Sequence, residues 1–296
     1  MNTLNLRSDY KVSIKSYPFE KEIIEQLRDG SNDLWPVVYF IESDTIKEAY
    51  VGESTTVYKR MTNHIANPER ENLSNVHIMY SKSFNKSAIL DIESRLIKYI
   101  GADGAYELQN ANGGLIEHNY YQQDNYENLF KQIWGKLYRK KLVKNDINKI
   151  YNSDLFKFSP YKALTNDQFD SVLKILEEIE KKTKSPIIVT GGAGTGKTVL
   201  ATFIIKLFKN KIGEDEESLD KDFQNILDSI ENISINFPKI EIGFVIPQQS
   251  LRATIKNVFK YVKGLSPNMV ISARDVTKKE YDIVFVDEAH RLRRRK

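Results

Sequence analysis

The sequence predicts an α/β chain in two parts. The first is a small α+β domain with helices around a three-stranded antiparallel sheet; the second is built on a parallel sheet. Three observations carry this prediction. The apolar run VVYFI at 37–41 is followed, after a Ser-Asp-Thr turn, by AYV at 49–51, the pattern of a β-hairpin. Much later, 242–246 and 283–286 are apolar without alternation, as strands buried on both faces of a parallel sheet are. Ahead of them, SPIIVTGGAGTGKT at 185–198 places a glycine-rich loop between a strand-like run and a helix-like one.

In order, residues 1–30 form an extension with a short helix over 18–28, opened by Pro18 and followed by Gly30. Residues 31–120 form the first domain. Its hairpin leads into a helix over 55–66 with Ser54 as N-cap, then a third strand over 76–80. A stronger helix, capped by Asn85 or Ser87, runs to Ile100 and closes at Gly101; a polar loop spans 108–114. Residues 121–160 mix aromatic and basic side chains and read as a helical connector. Residues 161–296 alternate helix and strand: helix 167–182, strand 187–190, helix 198–208, an exposed acidic insertion at 213–223, and the two apolar strands.

Composition narrows the function classes. The 296 residues include no cysteine, which excludes a disulfide scaffold, thiolate-held zinc, an iron–sulfur cluster and a thiol nucleophile. A hydrophobic share of 41% supports ordinary cores. No apolar run approaches the ~18 residues of a spanning helix, and the polar residues 1–17 do not read as a signal peptide. A cytoplasmic protein without a membrane partner is expected. The net charge of +4 is unevenly spread. Residues 1–125 hold 13 Lys/Arg against 18 Asp/Glu, residues 126–160 hold 8 against 3, and residues 161–296 hold 23 against 19. The basic middle stretch fits a linker helix or a nucleic-acid contact.

In the first domain Glu93 interrupts the apolar stripe Ile89, Ile92, Leu96, Ile97, Ile100. A carboxylate there must be paired, metal-bound or drawn out to the surface. Taken alone, it reads as an ion-pair partner of Arg60, Arg95 or a lysine. Arg60 and His64 are four apart and share a helix face. Tyr39 and Tyr50 lie in otherwise apolar strands, where a tyrosine is ordinarily a core residue. Together, VVY at 37–39, YVG at 50–52, Arg60, His64, the helical Glu93 and QNANGG at 109–114 with Asn110 resemble the GIY-YIG nuclease family. The resemblance covers about 35–114, and Val37 replaces the leading glycine of the family pattern. It implies Mg²⁺-dependent hydrolysis of phosphodiesters. Glu93 would hold the Mg²⁺, and Arg60 would contact phosphate. The resemblance implies a tyrosine hydroxyl as base; the residues themselves leave the choice open between Tyr39 and His64, with Tyr50 assisting. His77 is a further polar candidate. The acidic balance of this half disfavours tight DNA binding by it alone.

In the second domain Gly191, Gly196, Lys197 and Thr198 satisfy G-x-x-x-x-G-K-[ST], with Gly194 between them. The loop's backbone N–H groups would cradle the phosphates of ATP, Lys197 would reach its β- and γ-phosphates, and the Thr198 hydroxyl would ligate Mg²⁺. YDIVFVDEAHRL at 281–292 ends an apolar strand in Asp287, expected to hold the Mg²⁺, and Glu288, expected to polarise the attacking water. Gln168, ahead of the loop, resembles the adenine-sensing glutamine of superfamily 1 helicases. VIPQQSLRATIKNVFK at 245–260 resembles the strand by which such motors contact single strands. With DEAHRLRRR, these segments resemble Schlafen-type helicase domains over about 164–296. That span stops short of a full RecA-like lobe, so slow or absent ATP turnover is expected of the chain alone.

The combined expectation is a Mg²⁺-dependent DNA endonuclease coupled to an incomplete RecA-like ATP-binding domain. Its setting would be anti-phage defence, restriction or repair, with DNA or RNA and proteins of those systems as partners. Two other readings are an ATP-dependent remodeller with a silent nuclease-like domain and a nucleotide-dependent interaction switch.

Overall fold

The computed structural model describes residues 11–26, 28, 34–109, 123–160, 164–182, 185–209, 221–262 and 264–292. These divide into two compact units, one ending at Ser153 and the other beginning at Asp154.

The first unit is built on β1 (Ser13–Pro18), β2 (Val37–Ser43), β3 (Glu48–Ser54), β4 (Asn75–Tyr80) and β5 (Glu107–Leu108), with helices α1 (Lys21–Glu25), α2 (Val57–Ala66) and α3 (Lys86–Asp103). The expected hairpin and third strand form the centre of its sheet, but the sheet has five strands in the order β1-β4-β2-β3-β5. β5 runs parallel to β3, so the sheet is mixed, not purely antiparallel. β1 escapes a periodicity reading because SIKSYP is an edge strand, mostly exposed, with Pro18 at its end. The expected helix over 18–28 shrinks to Lys21–Glu25.

One sheet face packs Val37, Tyr39, Ile41, Tyr50, Val76 and Ile78 with Ile24, Val57 and Met61 of α1 and α2. The first turn of α2 is set differently from expectation. Thr56 is its N-cap without a side-chain bond, and the Ser54 hydroxyl instead accepts the Thr56 N–H at 2.9 Å. In α3 the cap is Asn85, whose side-chain Oδ1 accepts the Ala88 N–H. The helix runs past Gly101 to Gly104, which takes the left-handed conformation that ends it (φ 65°). Gly101 is a buried interior position.

The stretch 121–160, expected as a connector, folds largely onto the first unit. It forms α4 (Gln123–Arg139), α5 (Ile147–Tyr151) and α6 (Asp154–Lys157). Phe130 and Trp134 of α4 meet Tyr99 of α3 with ring centroids 4.8 and 5.6 Å apart. The Asp103 carboxylate, at the end of α3, accepts the backbone N–H groups of Lys144 and Asn145. Those aromatics are docking groups, so the segment is anchored rather than extended.

The second unit holds α7 (Asn166–Glu180), α8 (Lys197–Lys209), α9 (Lys221–Asn236), β6 (Ile242–Val245), α10 (Gln249–Lys260), β7 (Val270–Ile271) and β8 (Ile283–Val286). Its sheet is parallel, in the order β7-β6-β8. β6 is buried along its length, as expected, but β8 exposes alternate residues, Val284 and Val286. Residues 187–190 do not join this sheet: Ile187, Ile188 and Val189 are exposed, and both sides of β6 are already occupied by β7 and β8. Residues 249–260, likened to a nucleic-acid-contacting strand, are helix α10. Residues 213–220 of the acidic insertion lie outside the described residues, and 221–223 open α9. No helix among the described residues is long and apolar enough to cross a membrane.

The cap assignment is testable. Asn85→Ala should lower stability by about 1 kcal/mol, and Ser87→Ala by less than about 0.5 kcal/mol, both read from urea unfolding. Equal losses would contradict the assignment.

Candidate active site and nucleotide loop

The first site grows from the pairing of β2 with β3. In that register Tyr39 lies opposite Gly52 and Ile41 opposite Tyr50, which puts both tyrosines on the face covered by α2. Their rings stack with centroids 6.3 Å apart. A Cβ built on Gly52 would sit 2.2 Å from the Tyr39 hydroxyl oxygen. The glycine in YVG is therefore the space the tyrosine occupies. Arg60 and His64, one turn apart on α2, close over the same oxygen. Arg60 Nε donates to it at 3.1 Å, and His64 Nε2 lies 2.7 Å away. Arg60 Nη2 also donates to the Tyr50 hydroxyl at 3.5 Å.

The electrostatics follow from burial. Tyr39 is fully enclosed, and desolvation pushes its phenol well above the usual tyrosine value. The neighbouring Tyr50 and the carboxylate of Glu93 push the same way, while the Arg60 cation opposes them. For Arg60, burial favours loss of the proton, but the oxygens of Tyr39 and Tyr50 outweigh it and hold the guanidinium charged. His64 Nδ1 is buried with no hydrogen-bond partner among the described residues. Arg60 Nε donates to the Tyr39 oxygen, and the direction of the Tyr39–His64 bond follows the imidazole tautomer.

Tyr39, Tyr50, Arg60 and His64 are thus brought together. Glu93 lies half-buried on α3, and its charge is felt at Tyr39. Asn110 lies outside the described residues. His77 belongs elsewhere: it bonds Ser16 Oγ through Nδ1 at 2.8 Å and Glu42 Oε1 through Nε2 at 3.3 Å. It pairs in register with Phe40, so it faces away from Tyr39. Sequence reasoning missed Arg70, whose guanidinium stands 3.9 Å from the centroid of the Tyr50 ring. Nothing in NPER at 67–70 signals this, because the partner is twenty residues away.

In the second unit the Thr198 hydroxyl donates to Asp287 Oδ2 at 2.8 Å, across 89 residues of chain. Two hard oxygen donors at the mouth of the loop suit Mg²⁺, which retains several waters and needs few protein ligands. No group of three or more His, Cys, Asp or Glu that could hold a metal ion occurs among the described residues. Lys197 Nζ donates to the carbonyls of Gly191 and Gly192 at 2.9 and 2.8 Å. Gly194 and Gly196 adopt φ of 78° and 83°, which side-chain-bearing residues resist. Gln168 completes a capping box with Thr165 at the start of α7 and donates to the Thr195 carbonyl at 2.8 Å. Glu288, itself left-handed (φ 50°), faces His290 Nε2 at 3.1 Å and Arg291 Nε at 3.6 Å.

Comparison with known families agrees with both motif resemblances. Residues 36–105 match the model of the GIY-YIG catalytic domain, and residues 184–296 match that of the Schlafen group 3 DNA/RNA helicase domain. No curated protein and no solved structure matches the chain.

The steric role of Gly52 gives a direct check. Gly52→Ala should destabilise the first unit by about 1–3 kcal/mol and shift the His64 imidazole resonances as Tyr39 is displaced. An unchanged melting curve with unshifted resonances would contradict it.

Proposed function

We propose, from the matches of residues 36–105 to the GIY-YIG catalytic domain and of residues 184–296 to the Schlafen group 3 DNA/RNA helicase domain, that the protein is a Mg²⁺-dependent endonuclease of DNA phosphodiesters, loaded, moved or licensed by its ATP-binding unit. The observation that carries this reading is the convergence of Arg60 and His64 on the oxygen of Tyr39. Binding alone requires no buried phenol held between an arginine and a histidine. Phosphodiester hydrolysis does call for a proton acceptor and a positive charge to meet the phosphate.

Tyr39 takes the proton of the attacking water. The Arg60 cation favours the phenolate, and burial keeps that form scarce at neutral pH. Arg60, held charged, meets the phosphate, and Tyr50 orients Arg60. Glu93 would hold Mg²⁺, which when bound neutralises charge on the phosphate oxygens; Asn110 would complete the site. In the second unit Gly191, Gly194 and Gly196 shape the loop, and Lys197 turns from its carbonyls to the phosphates of ATP. Thr198 and Asp287 would hold the nucleotide's Mg²⁺, Glu288 would polarise water, and Gln168 would read the base. Anti-phage defence, restriction or repair in the cytoplasm is the setting we propose, with DNA ahead of RNA as substrate.

In Mg²⁺ buffer the protein should nick supercoiled plasmid, and Glu93→Ala should lose about 100-fold or more of that rate. Full cleavage by Glu93→Ala would overturn the site assignment. Lys197→Ala should abolish binding of a fluorescent ATP analogue, and retained binding would overturn the loop's role.

The base can be identified by pH. A phenol whose pKa is raised loses its proton only at high pH, so the active fraction grows about tenfold per pH unit below that value. The single-turnover rate should therefore climb between about pH 7 and 9. A plateau above about pH 6.5, the range of histidine, would assign the base to His64 instead.

A further inference from the structure

The roles assigned above leave one buried cation beside the site unused. Arg70 closes the short turn Pro68–Arg70 and is only 6% exposed. Removing a guanidinium from water costs several kcal/mol, and the face of an aromatic ring returns part of it. The ring that Arg70 covers is that of Tyr50, at 3.9 Å. The rings of His64 and Tyr39 also border Tyr50, with centroids 4.9 and 6.3 Å away. Its plane is thus set by Arg70 together with two proposed catalytic rings.

The turn that carries Arg70 is itself tied to the strand that carries Tyr50. Gln109 Nε2 donates to the Glu69 carbonyl at 3.0 Å and to Glu48 Oε2 at 2.7 Å. The Gln109 N–H donates to the Ala49 carbonyl at 2.8 Å. The Asn67 side chain caps the turn by accepting the Glu69 N–H at 2.9 Å. Glu48 and Ala49 immediately precede Tyr50 on β3, and Gln109 immediately precedes Asn110. One bracket therefore grips the tyrosine ring and its strand.

We propose that Arg70 is a positioning residue of the nuclease: it fixes the Tyr50 ring so that the Tyr50 hydroxyl shares Arg60 with Tyr39. The geometry is sensitive to that placement, because the Arg60–Tyr50 contact, at 3.5 Å, is the longest in the cluster while Arg60–Tyr39 is 3.1 Å. A tilt of the ring breaks the Arg60 Nη2–Tyr50 hydrogen bond and so shifts the guanidinium from the phosphate position. The proposal rests on the nuclease reading for its catalytic consequence, but the positioning is observable without cleavage.

The test uses the full chain labelled with 3-fluorotyrosine, with the Tyr50 signal assigned by its loss in Tyr50→Phe. Wild type, Arg70→Met and Arg70→Lys are compared by fluorine NMR, by single-turnover plasmid nicking and by DNA affinity. Arg70→Met should shift and broaden the Tyr50 signal and slow nicking about tenfold or more at unchanged DNA affinity. Arg70→Lys, which keeps the charge but not the flat stacking group, should fall between the two in signal and rate. If Arg70→Met fails to fold, Arg70→Lys against wild type carries the comparison, and identical spectra and rates would overturn the proposal. So would an unmoved Tyr50 signal in a folded Arg70→Met protein, or a slower rate that merely tracks weaker DNA binding. A moved signal in a protein whose wild type never nicks DNA would uphold the positioning and sink the nuclease reading.

Discussion

The first unit depends on one crowded oxygen. The Tyr39 hydroxyl lies where a Gly52 side chain would begin, and it receives Arg60 and His64 from a single helix face. That arrangement dictates the rest. The β2–β3 register must place residue 39 against residue 52, because a slip by one residue would turn Tyr39 to the other face. The helix after the hairpin must begin soon enough for residues 60 and 64 to reach back over the strands. The sheet core formed by Val37, Ile41, Val57 and Met61 supplies the burial that keeps the phenol protonated and makes its hydrogen bonds strong.

Much of this was legible from residue types and spacing. The two tyrosines on a hairpin and the i, i+4 pair of Arg60 and His64 are local patterns, and local patterns survive in a sequence. The central strands and the helix bearing Glu93 were legible for the same reason. The edge strand β1 was not, because an exposed strand with mixed polarity carries no apolar alternation. The end of α3 was misread at Gly101 because a glycine marks a helix stop only where φ turns positive, and that happens at Gly104. Arg70 was illegible in principle: a cation stacked on a ring twenty residues away is a property of the fold, with no trace in spacing.

The second unit shows the complementary case. Its loop, Lys197 and the acidic strand end form a recognisable sequence pattern, and the structure brings the Thr198 hydroxyl to Asp287 Oδ2 at 2.8 Å. What the pattern did not reveal is the sheet around it. Residues 187–190 have the composition of a strand, yet they lie exposed and make no sheet pairing; apolar content alone does not specify a strand. Lys197 meanwhile holds the loop's own carbonyls, a contact that a phosphate would replace.

The central claim is that the oxygen of Tyr39 does the chemistry of the first unit, and removal of that single atom tests it most directly. Tyr39→Phe keeps the ring and its stacking but takes the shared hydrogen-bond partner from Arg60 and His64. Its stability should therefore fall by about 1–3 kcal/mol, while the protein stays folded and its DNA affinity stays near that of wild type. Its single-turnover nicking in Mg²⁺ should fall by about 100-fold or more. Nicking at the wild-type rate by a folded Tyr39→Phe protein would contradict the account.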